Sequence, residues 1–231
     1  MNAFSTFLNS MDWQGLFEFL MTMCAALLCL TVHELSHGLV AYKLGDPTAK
    51  NGGRLTLNPI KHIDIFGFAM MLVAGVGWAK AVPVDPRQFK NPKRDMALTA
   101  LAGPISNFIL ALLVAGILSL LYSSQGLIET MIKFWGVDGL VLVLSFMASL
   151  VVMNVGLGIF NLFPIPPLDG SKVLFSVLPP KVYWAILRYE RYVMGALILL
   201  LWLGVFDGPL HWLIDQGLYI VGMITRCPLF L

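Results

Sequence analysis

The chain has 231 residues, 58% of them hydrophobic and 12% charged, with a formal net charge of +2. Soluble domains carry about 25% charged residues, so this composition, with a mean hydropathy of +0.81, excludes an ordinary soluble domain and marks an integral membrane protein. The small net charge and the absence of a basic run interleaved with aromatics exclude nucleic acid as a partner, and Cys24, Cys29 and Cys227 form neither a metal-type pair nor a disulfide framework.

Residues 1–15 carry Asp12 as their only charged side chain and are expected at the membrane interface. They lack a basic n-region and an Ala-x-Ala site, so the first apolar run is expected to be retained as a span. That run, residues 16–42, is long enough at about 1.5 Å per residue to cross about 30 Å of hydrocarbon. Glu18 falls at its outer end. Its second half holds His33-Glu34-Leu35-Ser36-His37. Two histidines four apart share one helical face and can bind one metal ion, and the glutamate beside them can take a proton from water on that metal. The same pattern recurs in surface helices without metal. In a membrane helix the balance changes, because each ionisable group at bilayer depth costs about 2.5–3.5 kcal/mol, and a metal satisfies all three at once.

Lys43 to Asp64 is polar, with Gly52-Gly53 and Asn58-Pro59 as breakers, and Arg54 to Asn58 alternates like a short strand. Ile65 to Ala79 is apolar but interrupted by Gly67, Gly75 and Gly77, and Ala81 to Val84 reads as extended. Basic residues flank this unit on both sides, with Lys43, Lys50, Arg54 and Lys61 before it and Lys80, Arg87, Lys90, Lys93 and Arg94 after it. The positive-inside rule places both groups on the cytoplasmic side, so residues 53–84 are expected to dip into the membrane and return. Residues 97–121 form the next span, opening on Ala102-Gly-Pro-Ile-Ser-Asn107. Residues 122–138 suit an outer loop, and 139–163 return inward to the proline-rich end Pro164 to Gly170. Tyr192 to Val205 is a further span, and 207–231 either crosses or lies at the interface. The expected fold is an all-α polytopic helical bundle, one domain over 1–231 with its core at about 16–178. It should have about 5–6 membrane segments and a small re-entrant β-hairpin-like element.

A catalytic zinc takes three protein ligands and leaves one position for water. Asp169 is the candidate third ligand, because a proline-broken helix end lets a carboxylate turn into the bundle at the depth of the histidines. By itself Asp169-Gly170 is also ordinary turn chemistry. Asn161 could donate to an oxyanion or serve as inter-helix glue. Asn107, Asn154, His62 and His211 read as structural.

Together, His33-Glu34-Leu-Ser-His37, Ala102-Gly-Pro-x-x-Asn107 and Asn161-x-x-Pro-x-Pro-Pro-Leu-Asp169-Gly170 resemble the site-2 protease family of intramembrane zinc metalloproteases. Gly53-Arg-Leu-Thr-Leu-Asn-Pro-Ile-Lys-His-Ile-Asp64 and Gly77-Trp-Ala-Lys-Ala-Val-Pro-Val84 are similar to its compact bacterial branch, so a bacterial plasma membrane is the expected location. The resemblance implies one zinc ion on His33, His37 and Asp169, with Glu34 as base and Asn161 steadying the transition state. It also implies a single-pass or small membrane-protein substrate held as a strand, with Arg54, Leu55, Thr56, Leu57, Val82 and Val84 as the candidate strand-binding residues. No PDZ or CBS module is seen, and a homo-oligomer is compatible with the sequence.

Two rivals use the same residues. A divalent-metal transporter would take Glu34 as a ligand, and an inactive membrane scaffold would have no need of it. In the strand-capture reading, pairing with the re-entrant element replaces hydrogen bonds that an unwinding substrate helix loses. Prolines placed in 53–57 or 80–84 should then lower cleavage while zinc stays bound, as followed by product formation and metal content. Full activity in such variants would sink strand capture.

Overall fold

The computed structural model describes residues 13–74 and 78–231. Most of the expected interfacial stretch, together with Gly75 and Gly77, lies outside the described residues. Three long helices carry the fold: α1 (Trp13–Lys43), α4 (Pro92–Ser123) and α5 (Gln125–Asn161). Between α1 and α4 lie the short helices α2 (Thr48–Asn51) and α3 (Ile65–Ala74). After α5 come α6 (Asp169–Ser176), α7 (Pro180–Trp202) and α8 (Asp207–Thr225). Helix α4 starts where Pro92 needs no amide partner, with Asp95 in its first turn against the helix dipole.

Each of the three long helices packs against the other two. The apolar core between α4 and α5 is built from Ala111, Ala115 and Leu118 of α4 with Val151 and Val155 of α5, closed by Val221 of α8 and by Cys227. Small side chains on α4 let its backbone approach its neighbours closely, which is how membrane helices associate without a hydrophobic drive. Buried Asn154 adds a polar tie from α5 to α1, donating to Cys29 Sγ at 3.0 Å and to Leu150 O at 2.8 Å.

The expected count of membrane segments is corrected downward. Among the described residues, α1, α4 and α5 are long and apolar enough to cross. Tyr192–Trp202 and Asp207–Thr225 meet at an 85° bend and would count as one more span if taken together. Tyr192–Trp202 rises only about 16 Å and Ile65–Ala74 about 15 Å, each too short to cross alone. The expected outer loop is also largely helical. Helix α5 begins at Gln125 and is broken by Gly136 at φ 72°, ψ 174°, a conformation that glycine adopts without steric cost.

The re-entrant β-hairpin-like element is corrected as well. Among the described residues no strand forms over 53–84, where one isolated antiparallel bridge joins Ile63 to Ala79. Side chains satisfy much of the backbone here instead of a ladder. Arg54 reaches the carbonyls of Lys80 and Ala81, a His62 ring nitrogen meets Thr56 O, and Thr56 Oγ1 accepts from Asn58 N–H. Pro59, Pro83 and Pro86 remove donors that a ladder would need.

Fully buried Asp46 ties this region to the end of α1. Its carboxylate accepts from Thr48 N–H at 2.9 Å, from the Thr48 hydroxyl, and from Asp85 N–H at 2.7 Å. Asp46→Ala should cost about 1–3 kcal/mol for each buried N–H left without a partner. Asp46→Asn should recover part of the loss, both read from unfolding curves in detergent.

Candidate metal centre

His33 and His37 stand on successive turns of α1, and Asp169 opens α6 directly after the proline-rich turn that ends α5. Asp169 Oδ2 lies 3.1 Å from His33 Nε2 and 3.0 Å from His37 Nε2, and the two Nε2 atoms are 3.0 Å apart. The three residues are 3%, 8% and 5% exposed, so little water reaches them. The other Asp169 oxygen, Oδ1, accepts from Lys172 Nζ at 3.1 Å one turn along α6.

The outer nitrogens decide what the inner ones can do. His37 Nδ1 faces Thr99 O at 2.7 Å, and His33 Nδ1 faces Asn107 Oδ1 at 3.1 Å. Thr99 O can only accept, so His37 Nδ1 carries the proton; with Asn107 presenting Oδ1, His33 Nδ1 is assigned one too, and in the neutral rings both Nε2 atoms then present lone pairs inward. Two imidazole lone pairs and a carboxylate oxygen then converge within 3.1 Å of one another, an arrangement that only a cation makes favourable. Tetrahedral zinc with ligands at about 2.0–2.1 Å sets them about 3.3 Å apart, close to the spacing seen here. The residues fit the metal.

The Ala102-Gly-Pro-x-x-Asn107 stretch thus serves the site, where the sequence pointed only to packing. Asn107 orients His33, and a Cβ on Gly103 would stand 2.5 Å from both His33 Cε1 and His37 Nε2. The histidines can fill this space because α4 has no side chain there. Lys172 and the Thr99 carbonyl escaped the sequence reading. A backbone carbonyl leaves no signature in residue type, and Lys172 reads as one more basic residue after a span.

Glu34 is half-buried and outside the ligand set, with Oε2 accepting from Val82 N–H at 2.7 Å. Asn161 is half-buried too, but its Nδ2 donates to Leu157 O of its own helix at 3.0 Å and forms no hydrogen bond with the cluster among the described residues. Among the expected strand-binding residues, Arg54 and Val82 are buried, Leu55, Thr56 and Val84 half-buried, and Leu57 exposed. His62 and His211 stay apart from the cluster, on Thr56 O and Asp207 O.

The sequence profile of peptidase family M50 matches residues 21–203. Two similar relatives are named as putative zinc metalloproteases. YwhC of Bacillus subtilis is 44% identical over 163 residues, covering 70% of this chain and 71% of the relative. Rip2 of Mycolicibacterium smegmatis is 26% identical over 227 residues, covering 90% and 80%. Zinc metalloprotease MJ0392 of Methanocaldococcus jannaschii is 27% identical over 173 residues, covering 75% of this chain and 37% of the relative. No solved structure matches.

Metal analysis of purified protein should find His37→Ala, Asp169→Ala and Gly103→Ala depleted, the last because its methyl group displaces both imidazoles. Asn107→Ala should bind metal about 10–100-fold more weakly, as is usual when a ligand loses its orienting partner.

Proposed function

The chain belongs to peptidase family M50, the site-2 proteases, and is an intramembrane zinc metalloprotease; from that premise we propose how its residues divide the work. His33, His37 and Asp169 hold the zinc, and the observation that carries this reading is their convergence as three electron-rich atoms within 3.1 Å. When bound, zinc supplies Lewis acidity, polarising a carbonyl and lowering the pKa of water toward about 7. Glu34, free of the ligand set and next to His33 in the chain, takes the proton from the attacking water and passes it to the leaving amine. Asn161 donates to the developing oxyanion after releasing Leu157 O.

The family acts on membrane-protein substrates, and here we propose a single-pass or small one, cut in or near its transmembrane segment in a bacterial plasma membrane. Cleavage requires local unwinding, since a helix buries its carbonyls in hydrogen bonds. Residues 82–84 suit an unwound segment, because the Val82 and Val84 carbonyls accept no hydrogen bond among the described residues. A divalent-metal transporter would enlist Glu34 as a ligand. The carboxylate instead lies on a backbone amide, and nothing favours that rival.

Glu34→Gln should retain one zinc per chain and lose about 10²–10⁴-fold in cleavage rate, the usual span for removing a general base. Zinc content and product formation measured on the same preparation check it. Loss of zinc in this variant would make Glu34 a ligand.

A further inference from the structure

The segment Lys80 to Val82 is gripped by two side chains, and both of them reach the Ala81–Val82 peptide group. Val82 N–H donates to Glu34 Oε2 at 2.7 Å. The carbonyl of that same peptide, Ala81 O, accepts from Arg54 Nη2 at 3.3 Å, while the shorter bond from Nη2 goes to Lys80 O, one peptide group earlier. Arg54 is only 9% exposed, its Nε has no partner, and among the described residues it forms no ion pair. A buried guanidinium without a counter-ion is costly to keep, so its placement on two backbone carbonyls calls for a reason.

The chemistry of the peptide group provides one. A cation on an amide oxygen draws electron density toward itself and makes the N–H at the other end of the same group a stronger donor. The order is then guanidinium, carbonyl, amide N–H and carboxylate, with positive charge at one end and negative charge at the other. We propose that Arg54 is a positioning residue for Glu34 and acts through the Ala81–Val82 peptide group. Its guanidinium fixes and polarises that peptide, whose N–H anchors Glu34 Oε2. Glu34 Oε1, which accepts no hydrogen bond among the described residues, is left free to handle the proton.

This rests on the reading of Glu34 as the base and deepens it. It also moves Arg54 from substrate binding, where the sequence pointed, to alignment of the base. Lys80 N–H supplies an internal control, because it is held by His62 O at 2.8 Å and not through Arg54.

The test uses the zinc-loaded full chain in detergent, as native protein and as Arg54→Met, Arg54→Lys and Glu34→Gln. Amide hydrogen exchange at residues 80–82 and zinc content are measured first. Cleavage of fluorescein-labelled casein, an unfolded chain that needs no helix unwinding, is measured second. In Arg54→Met, Val82 should exchange about tenfold or more faster while Lys80 and zinc content stay as in the native chain. On casein, kcat should fall about 10–100-fold with KM within about threefold, and Arg54→Lys should recover part of both effects.

Unchanged exchange at Val82 overturns the proposal. Equal acceleration at Lys80 and Val82, or loss of zinc, makes Arg54 a structural strut and also overturns it. A raised KM at native kcat returns Arg54 to substrate binding. Arg54→Lys keeps a buried cation, so its exchange decides the matter if Arg54→Met does not fold. Native-like cleavage by Glu34→Gln would instead sink the base assignment, while exchange at Val82 still judges the link to Arg54.

Discussion

Three electron-rich atoms are held face to face in an apolar bundle, and most of the structure around them exists to keep them there. Left alone, two imidazole lone pairs and a carboxylate oxygen 3.0–3.1 Å apart would repel one another. The bundle constrains them from behind. Thr99 and Asn107 of α4 fix the outer nitrogens, Lys172 of α6 fixes the second carboxylate oxygen, and the bare backbone at Gly103 admits both rings. Each constraint comes from a different turn of the chain, so the site is a property of the packed bundle more than of α1. A cation converts the stored repulsion into binding, which is the usual relation between a preorganised ligand set and its metal.

Placement along α1 matters as much as geometry. His37 lies six residues before Lys43, about 9 Å of helix rise, so the reaction centre sits near the polar end of its span. The polar stretch that follows folds back over this end: Asp46 holds Asp85, Arg54 holds Lys80 and Ala81, and Glu34 holds Val82. Asp46 and Arg54 of that stretch, together with Glu34 of α1, thus secure a single extended strap, and one of the three is the carboxylate proposed as the base.

How much of this was legible in the sequence depends on whether a signal is local. His33, Glu34 and His37 are read from one helical turn, and Asp169 from a proline-broken helix end that lets a carboxylate turn into the bundle. His33, His37 and Asp169 do come together as a cluster that could hold a metal, while Glu34 stays outside it. The β-hairpin was misread because the alternation over Arg54 to Asn58 resembles a strand, whereas side chains and not a partner strand take up its backbone groups. Asn107 carried a visible motif whose purpose was hidden, since its partner lies 74 residues away in the chain. The span count erred for a different reason. Hydropathy registers apolar runs, but α3 and the apolar half of α7 are too short to cross, and the 85° bend after α7 could not be read from composition.

The loop closed by His33 and Asp169 spans 136 residues. A ribosome adding about 5–20 residues per second needs roughly 7–27 s to make that stretch. Throughout that interval α1 is already made, carrying two histidines and a glutamate but lacking the third ligand. The nascent protein is therefore a dormant hydrolase by construction. Its catalytic centre is completed only after α5 and the proline-rich turn have been synthesised, and so only after the helices that enclose it can pack.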